Sequence, residues 1–136
     1  MRAAITPPGR FFGMPAGDVA KPLPDMKRPH LTVAEGLSRL PGSQGERFVE
    51  LFRHGTLSVE LYAPRGSDPQ DPHTRDEVYA VARGSGWFRN GSDRHRFAPG
   101  DVLFVPAGVV HRFEEFTDDL VVWVFFYGPE GGESAS

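Results

Sequence analysis

"GDVLFVPAGVVH", residues Gly100–His111, is the stretch whose reading decides the fold. Asp101–Val105 reads as a short strand with a turn at each end. Ahead of it, "APGD" (Ala98–Asp101) puts Pro99 and Gly100 at the central positions of a type II turn, the second of which needs positive φ. Behind it, "VPAG" (Val105–Gly108) has proline second and glycine fourth, the pattern of a type I turn. The stretch ends on His111, which stands in apolar surroundings. It is either a core histidine bonded to backbone or a ligand.

Outward from there the same rhythm repeats. "RFVELFR" (47–53) and "TLSVELYA" (56–63) flank His54-Gly55, which predicts a hairpin. In the second run Leu57, Val59 and Leu61 alternate with Ser58, Glu60 and Tyr62, the two-residue period of a strand. "EVYAVA" (77–82) follows, then "GWFRNGSDRHRF" (86–97) with Asn90-Gly91 at its centre, a hairpin signal. "LVVWVFFY" (120–127) is the last strong strand. Eight or so short strands with regular turns and almost no helix predict an all-β sandwich or barrel over residues 46–128. Residues 1–45 are rich in Pro and Gly and read as an irregular arm, tacked on by Phe11, Phe12 and Met14. A short helix is expected at 32–40, where Thr32 and Glu35 form a capping box and Pro41-Gly42 ends the run. Residues 129–136 read as a loose tail.

The bulk numbers exclude several classes of function. A chain of 136 residues with 39% apolar content is one domain with a core of its own. Its net charge of −3, with the signs mixed, offers no basic patch, so no nucleic-acid partner is expected. The absence of cysteine rules out disulfides, zinc–thiolate sites and cysteine nucleophiles. The longest apolar run, Leu120–Tyr127, is far short of the about 20 residues a membrane helix needs. No apolar stretch of signal-peptide length opens the sequence. A cytoplasmic protein with no membrane partner is the expectation.

The chemistry concentrates in "QDPHTRDE" (Gln70–Glu77). Glu77 opens a strand that is apolar on both faces. A carboxylate buried there is costly unless paired or coordinated; otherwise Glu77 sits at the strand's wet end or pairs with an arginine. Asp71, His73 and Glu77 share a face if the pleat is regular. Two histidines and a carboxylate, if His111 joins them, make the set that suits iron(II), and also manganese, nickel or zinc, with positions left open.

These two stretches together resemble the motifs of the cupin superfamily. The first family motif reads G-x5-H-x-H-x3-E-x6-G. Here Gly66 lies near its start, Asp71 stands where the first histidine would be, His73 takes the second, and Glu77 and Gly84 follow at matching spacing. The second reads G-x5-P-x-G-x2-H-x3-N. Gly100, Pro106, Gly108 and His111 all match it, with Glu115 in place of the asparagine. The resemblance spans about residues 46–127 and implies a jelly-roll β-barrel. It implies one divalent transition metal (Fe, Mn, Ni or Zn) held by His73, Glu77 and His111, with Asp71 in the fourth slot and Gln70 as a weaker candidate for it. Pro72 restricts Asp71 to extended conformations, which would suit an inward-pointing strand residue. Glu60, Tyr62, Tyr79, Trp123 and Phe125 are candidates to line the interior, with plain core packing the alternative for the aromatics. His30, His54 and His95 read as surface residues, and Arg112 should point away from His111. The implied function is a metal-dependent enzyme acting on a small organic molecule by dioxygenase, isomerase or lyase chemistry. A non-catalytic binding or sensing barrel is the alternative. The resemblance also implies a homodimer, with the arm able to cross onto a partner barrel.

Overall fold

A computed structural model describes residues 29–134, so Phe11, Phe12, Met14 and the rest of the arm up to residue 28 lie outside the described residues. Among the described residues there is one helix, α1 (Val33–Ser38), and eight strands: β1 (Phe48–His54), β2 (Leu57–Tyr62), β3 (Asp76–Arg83), β4 (Gly86–Asn90), β5 (Asp93–Phe97), β6 (Val102–Val105), β7 (His111–Glu114) and β8 (Val121–Tyr127). They form two antiparallel sheets, one in the order β1-β2-β8-β3-β6 and one in the order β5-β4-β7. This is the expected all-β jelly-roll barrel.

The two-residue period decides what each strand buries. On β3, Glu77, Tyr79 and Val81 point inward, opposite Phe126, Val124 and Val122 of β8. They meet Phe88, Phe97 and Phe113 from the smaller sheet in a continuous core. Phe113 sits at its centre, with ring centroids 4.8 Å from Phe88, 5.0 Å from Tyr79 and 5.2 Å from Phe97. Each such ring contributes roughly 1.5–3 kcal/mol by leaving water. The outer face of the large sheet carries a second cluster, Val49, Leu51, Leu61, Ala63 and Val121, covered by Leu31, Val33, Leu37 and Leu40 on and around α1.

Helix α1 has the expected start: the Thr32 side chain accepts a hydrogen bond from the Glu35 backbone N–H at 3.0 Å. The interior glycine that weakens it is explained by packing. A Cβ on Gly36 would stand 2.5 Å from Leu61 Cδ2 and 3.2 Å from Leu51 Cδ1, so only glycine lets the helix lie this close to the sheet.

Three details differ from expectation. The turn after β6 closes one residue later than predicted: Val109 N–H donates to the Pro106 carbonyl (3.2 Å), and Gly108 takes the left-handed φ of 81° at the third position. Gly108 N–H is thereby released to donate to the His73 carbonyl. In the β4–β5 hairpin the loop is Gly91-Ser92, and Asn90 is the last strand residue, where its side chain donates to the Phe104 carbonyl at 2.8 Å. Finally, the described part of the tail is tied down. Gly131 N–H donates to the Thr74 carbonyl, and Glu133 N–H to the Asp76 carboxylate at 2.8 Å.

Gly84 closes β3 with φ 91°, and a Cβ there would meet the Leu120 Cα at 2.7 Å. The neighbour is backbone and cannot swing away. Gly84→Ala should therefore lower stability by about 2–4 kcal/mol, the sum of left-handed strain and overpacking, measured as a shift in urea midpoint at unchanged slope.

Candidate metal centre

His73, Glu77 and His111 come from three places in the chain and meet inside the barrel. His73 lies in the loop three residues before the start of β3, Glu77 is the second residue of β3, and His111 is the first of β7. All three are buried, Glu77 and His111 to 1% exposure. One ligand atom from each lies within 4.8 Å of the others. His111 Nε2 is 3.1 Å from Glu77 Oε1, and His73 Nε2 is 3.9 Å from it.

His111 is oriented by its other nitrogen. Nδ1 lies 2.8 Å from the Val109 carbonyl, so Nδ1 carries the proton and the Nε2 lone pair faces Glu77. Glu77 Oε1, Oε2 and His111 Nε2 have no hydrogen-bond partner among the described residues. The imidazole nitrogen and the carboxylate oxygen, 3.1 Å apart, form an ion pair only when His111 is doubly protonated. Three orphaned polar atoms in one buried place are expensive. A divalent cation would satisfy all of them at once, so the residues present fit a metal. Burial pulls the His111 pKa down, but the Glu77 carboxylate and the Val109 carbonyl together push it above its ordinary value of 6.5.

The surrounding scaffold is more polar than the sequence suggested. Asp68, fully enclosed, accepts from the Tyr62 hydroxyl (2.5 Å), the Gln70 amide (2.8 Å) and the Phe113 backbone N–H (2.9 Å). Burial raises its pKa, and those three donors partly restore it. The Tyr79 hydroxyl donates to Gln70 Oε1 at 3.0 Å. Burial, then the charges of Glu77 and Asp68, push the Tyr79 pKa well above 10, so the phenol stays a donor at neutral pH. Asp76 holds the His111 side of the site. Its Oδ1 accepts from Ala107 N–H at 2.9 Å, in the turn that leads to His111.

Several sequence expectations are corrected here. Asp71 is exposed and does not join the group; Gln70 is the buried residue of the loop. The face-sharing argument assumed a continuous pleat, but residues 69–73 are not strand, and the chain bends at Thr74 and Arg75 before β3 begins. Trp123 and Phe125 are not interior residues. Val122, Val124 and Phe126 take the inward positions of β8, so Trp123 packs on the outer cluster beside α1. Glu60 and Tyr62 do face inward, opposite Val124 and Val122, and Tyr79 lies within the core near the site. His30, His54, His95 and Arg112 are exposed. Sequence reasoning missed Asp68 and Asp76. Nothing separates Asp68 from the other acids of a polar loop. Asp76 alternates with Glu77 and so reads as outward-facing.

A jelly roll that gathers two histidines and one glutamate between its sheets has a buried group that could hold a metal ion. The cupin domain profile matches residues 58–127, just over half the chain, and the chain belongs to that family. A protein of Streptomyces coelicolor, SCO3923, uncharacterized, is 40% identical over 85 residues, covering 61% of this chain and 81% of that one. The acireductone dioxygenase of Drosophila melanogaster is 35% identical over 54 residues, 36% of this chain but only 29% of the enzyme. Among solved structures, a cupin superfamily protein from Desulfitobacterium hafniense superposes with a TM-score of 0.55 at 19% identity, covering 80% of this chain and 97% of that one. BH2720 from Bacillus halodurans gives 0.59 at 15% identity, covering 82% and 91%. Among the described residues, no helix is long and apolar enough to cross a membrane.

Proposed function

We propose that this cupin is a metal-dependent enzyme that acts on a small, oxygen-bearing organic molecule, with oxygenation of that molecule as the favoured reaction. The observation that carries the reading is the set of orphaned atoms on Glu77 and His111, next to His73. Bound there, a divalent transition metal would supply Lewis acidity and, as iron(II), a redox centre for dioxygen chemistry. Glu77 offsets one of its charges and the two imidazoles leave the other, which favours anionic oxygen donors on a substrate. Val109 holds His111 in the tautomer that ligates. The Tyr79 hydroxyl stays protonated beside the site and holds Gln70 Oε1 in place. Phe88, Phe113 and Phe126 keep bulk water off the other side. The partial likeness to a dioxygenase supports oxygenase over isomerase or lyase chemistry.

The test is anaerobic loading with iron(II), followed by oxygen uptake on a panel of small phenols and 1,3-dicarbonyls. Stoichiometric uptake with one of them supports the reading. A fully loaded protein that takes up no oxygen with any of them contradicts the oxygenase and leaves isomerase, lyase or plain binding chemistry.

Metal affinity should rise with pH. A histidine must lose its second proton to ligate, and although burial opposes it, the Glu77 carboxylate raises the pKa at which His111 does so. The sign for stability is opposite. Charged His111 against Glu77 stabilises the metal-free fold below pH 6.5, and that contribution is lost as pH rises through the raised pKa. Calorimetric titrations with zinc between pH 5.5 and 8.5 should show affinity climbing steadily through this range.

A further inference from the structure

We infer that Gln70 is a fourth metal ligand, through its side-chain carbonyl oxygen, and that Asp68 is the residue that aims it. The inference rests on the metal-centre reading above. Gln70 is 5% exposed, and its two amide atoms have different partners. The nitrogen donates to Asp68 Oδ2 at 2.8 Å, and the oxygen accepts from the Tyr79 hydroxyl at 3.0 Å. Asp68 cannot yield, because Tyr62 and the Phe113 backbone N–H already fix its two oxygens. Flipping the amide would set NH₂ against the phenol proton and C=O against the carboxylate. Oε1 is therefore locked toward the site.

It lies 3.1 Å from His73 Nε2. In the metal-free chain the two atoms can share a proton. When His73 Nε2 gives its lone pair to a cation, that proton is gone, and two lone pairs would face each other at this distance. A shared cation removes the conflict. The spacing suits it, since two ligands on one ion with bonds of about 2.1 Å stand about 3 Å apart at a right angle. An amide oxygen is neutral, so the centre keeps the charge set by Glu77 alone. It is also harder than imidazole, which favours manganese and iron(II) over copper.

The full chain should be crystallised with zinc and with manganese, and its affinity for both compared with Gln70→Leu, Gln70→Glu and Asp68→Asn. We expect Gln70 Oε1 at about 2.1 Å from the ion. Gln70→Leu should weaken binding at least about 10-fold. Gln70→Glu, which sets an oxygen against Asp68 Oδ2 in place of the donating NH₂, should lose the aim and weaken binding as well. Asp68→Asn should weaken it about 10- to 100-fold through lost aim. A metal-loaded structure with Gln70 Oε1 beyond about 3 Å from the ion, or Gln70→Leu within two-fold of wild type, overturns the role of Gln70 and leaves the three-residue centre standing. Wild-type protein that takes up neither metal overturns both.

Discussion

Glu77→Met should abolish stoichiometric binding of divalent metal and, at alkaline pH, leave the metal-free barrel no less stable. Glu77 is 1% exposed, and neither of its oxygens has a hydrogen-bond partner among the described residues. An ionised carboxylate in that state costs several kcal/mol in desolvation, which His111 at 3.1 Å repays only in part. Nothing about folding asks for it, since Tyr79 and Val81 on the same face already show what the core prefers. Methionine keeps the volume and removes the charge. At alkaline pH, with His111 neutral, the metal-free variant should be at least as stable as the metal-free wild type, since no charge is left buried there. Wild type should gain on it only with metal, by about 2.7 kcal/mol when free metal is 100-fold above its Kd. Thermal melts of both proteins, with and without zinc, read this directly. Only wild type should shift upward with metal, by roughly 10 °C for a domain of this size. Equal shifts in both proteins would remove Glu77 from the ligand set.

Asp76→Ala should carry the largest cost to stability of any exchange near the site. Its carboxylate accepts backbone N–H groups from two separate segments, Ala107 at 2.9 Å and Glu133 at 2.8 Å, while 5% exposed. Hydrogen bonds to a charged group contribute about 1.5–3 kcal/mol each, so the loss should be about 3–6 kcal/mol. The effect should reach the site as well. Ala107 sits in the turn whose Gly108 N–H donates to the His73 carbonyl and whose Val109 carbonyl orients His111. Freed from Asp76, this turn holds the two imidazoles less firmly, and metal affinity should fall about 10-fold or more. Urea unfolding and zinc titration at a temperature where the variant is still folded check the two halves separately. A variant that loses stability but binds zinc as wild type would confine Asp76 to tying the tail.

How much of this was legible in the sequence depends on whether a signal is local. The strands, the hairpins and the start of α1 follow from alternation, turn residues and one cap, all of which act over a few residues. His73, Glu77 and His111 were legible because their spacing to Pro106, Gly108 and Gly84 is a pattern of turns and strand ends. Asp71 misled because parity holds only along a strand, and Pro72 sits in a loop where it fails. Trp123 misled because alternation fixes which residues share a face without saying which face is inside. Glu115, which stands where the resemblance expects asparagine, takes φ 49°, a conformation asparagine adopts more readily, so the backbone keeps its shape across the exchange. Asp68 and Asp76 were unreadable for one common reason, and Gln70 showed only as a weaker candidate for the fourth slot, with nothing to mark it as buried. Their burial depends on partners 30 or more residues away in sequence, or on a loop folding back over them, and no local pattern encodes that.

The most direct test of the metal centre is elemental analysis of the full chain purified without chelator or affinity metal, then reconstituted anaerobically with iron(II), manganese, nickel or zinc in turn. One equivalent of metal per chain for at least one of these, lost in His111→Ala, is the predicted result. Less than about a tenth of an equivalent of every one of them, in protein that melts cooperatively, would contradict it.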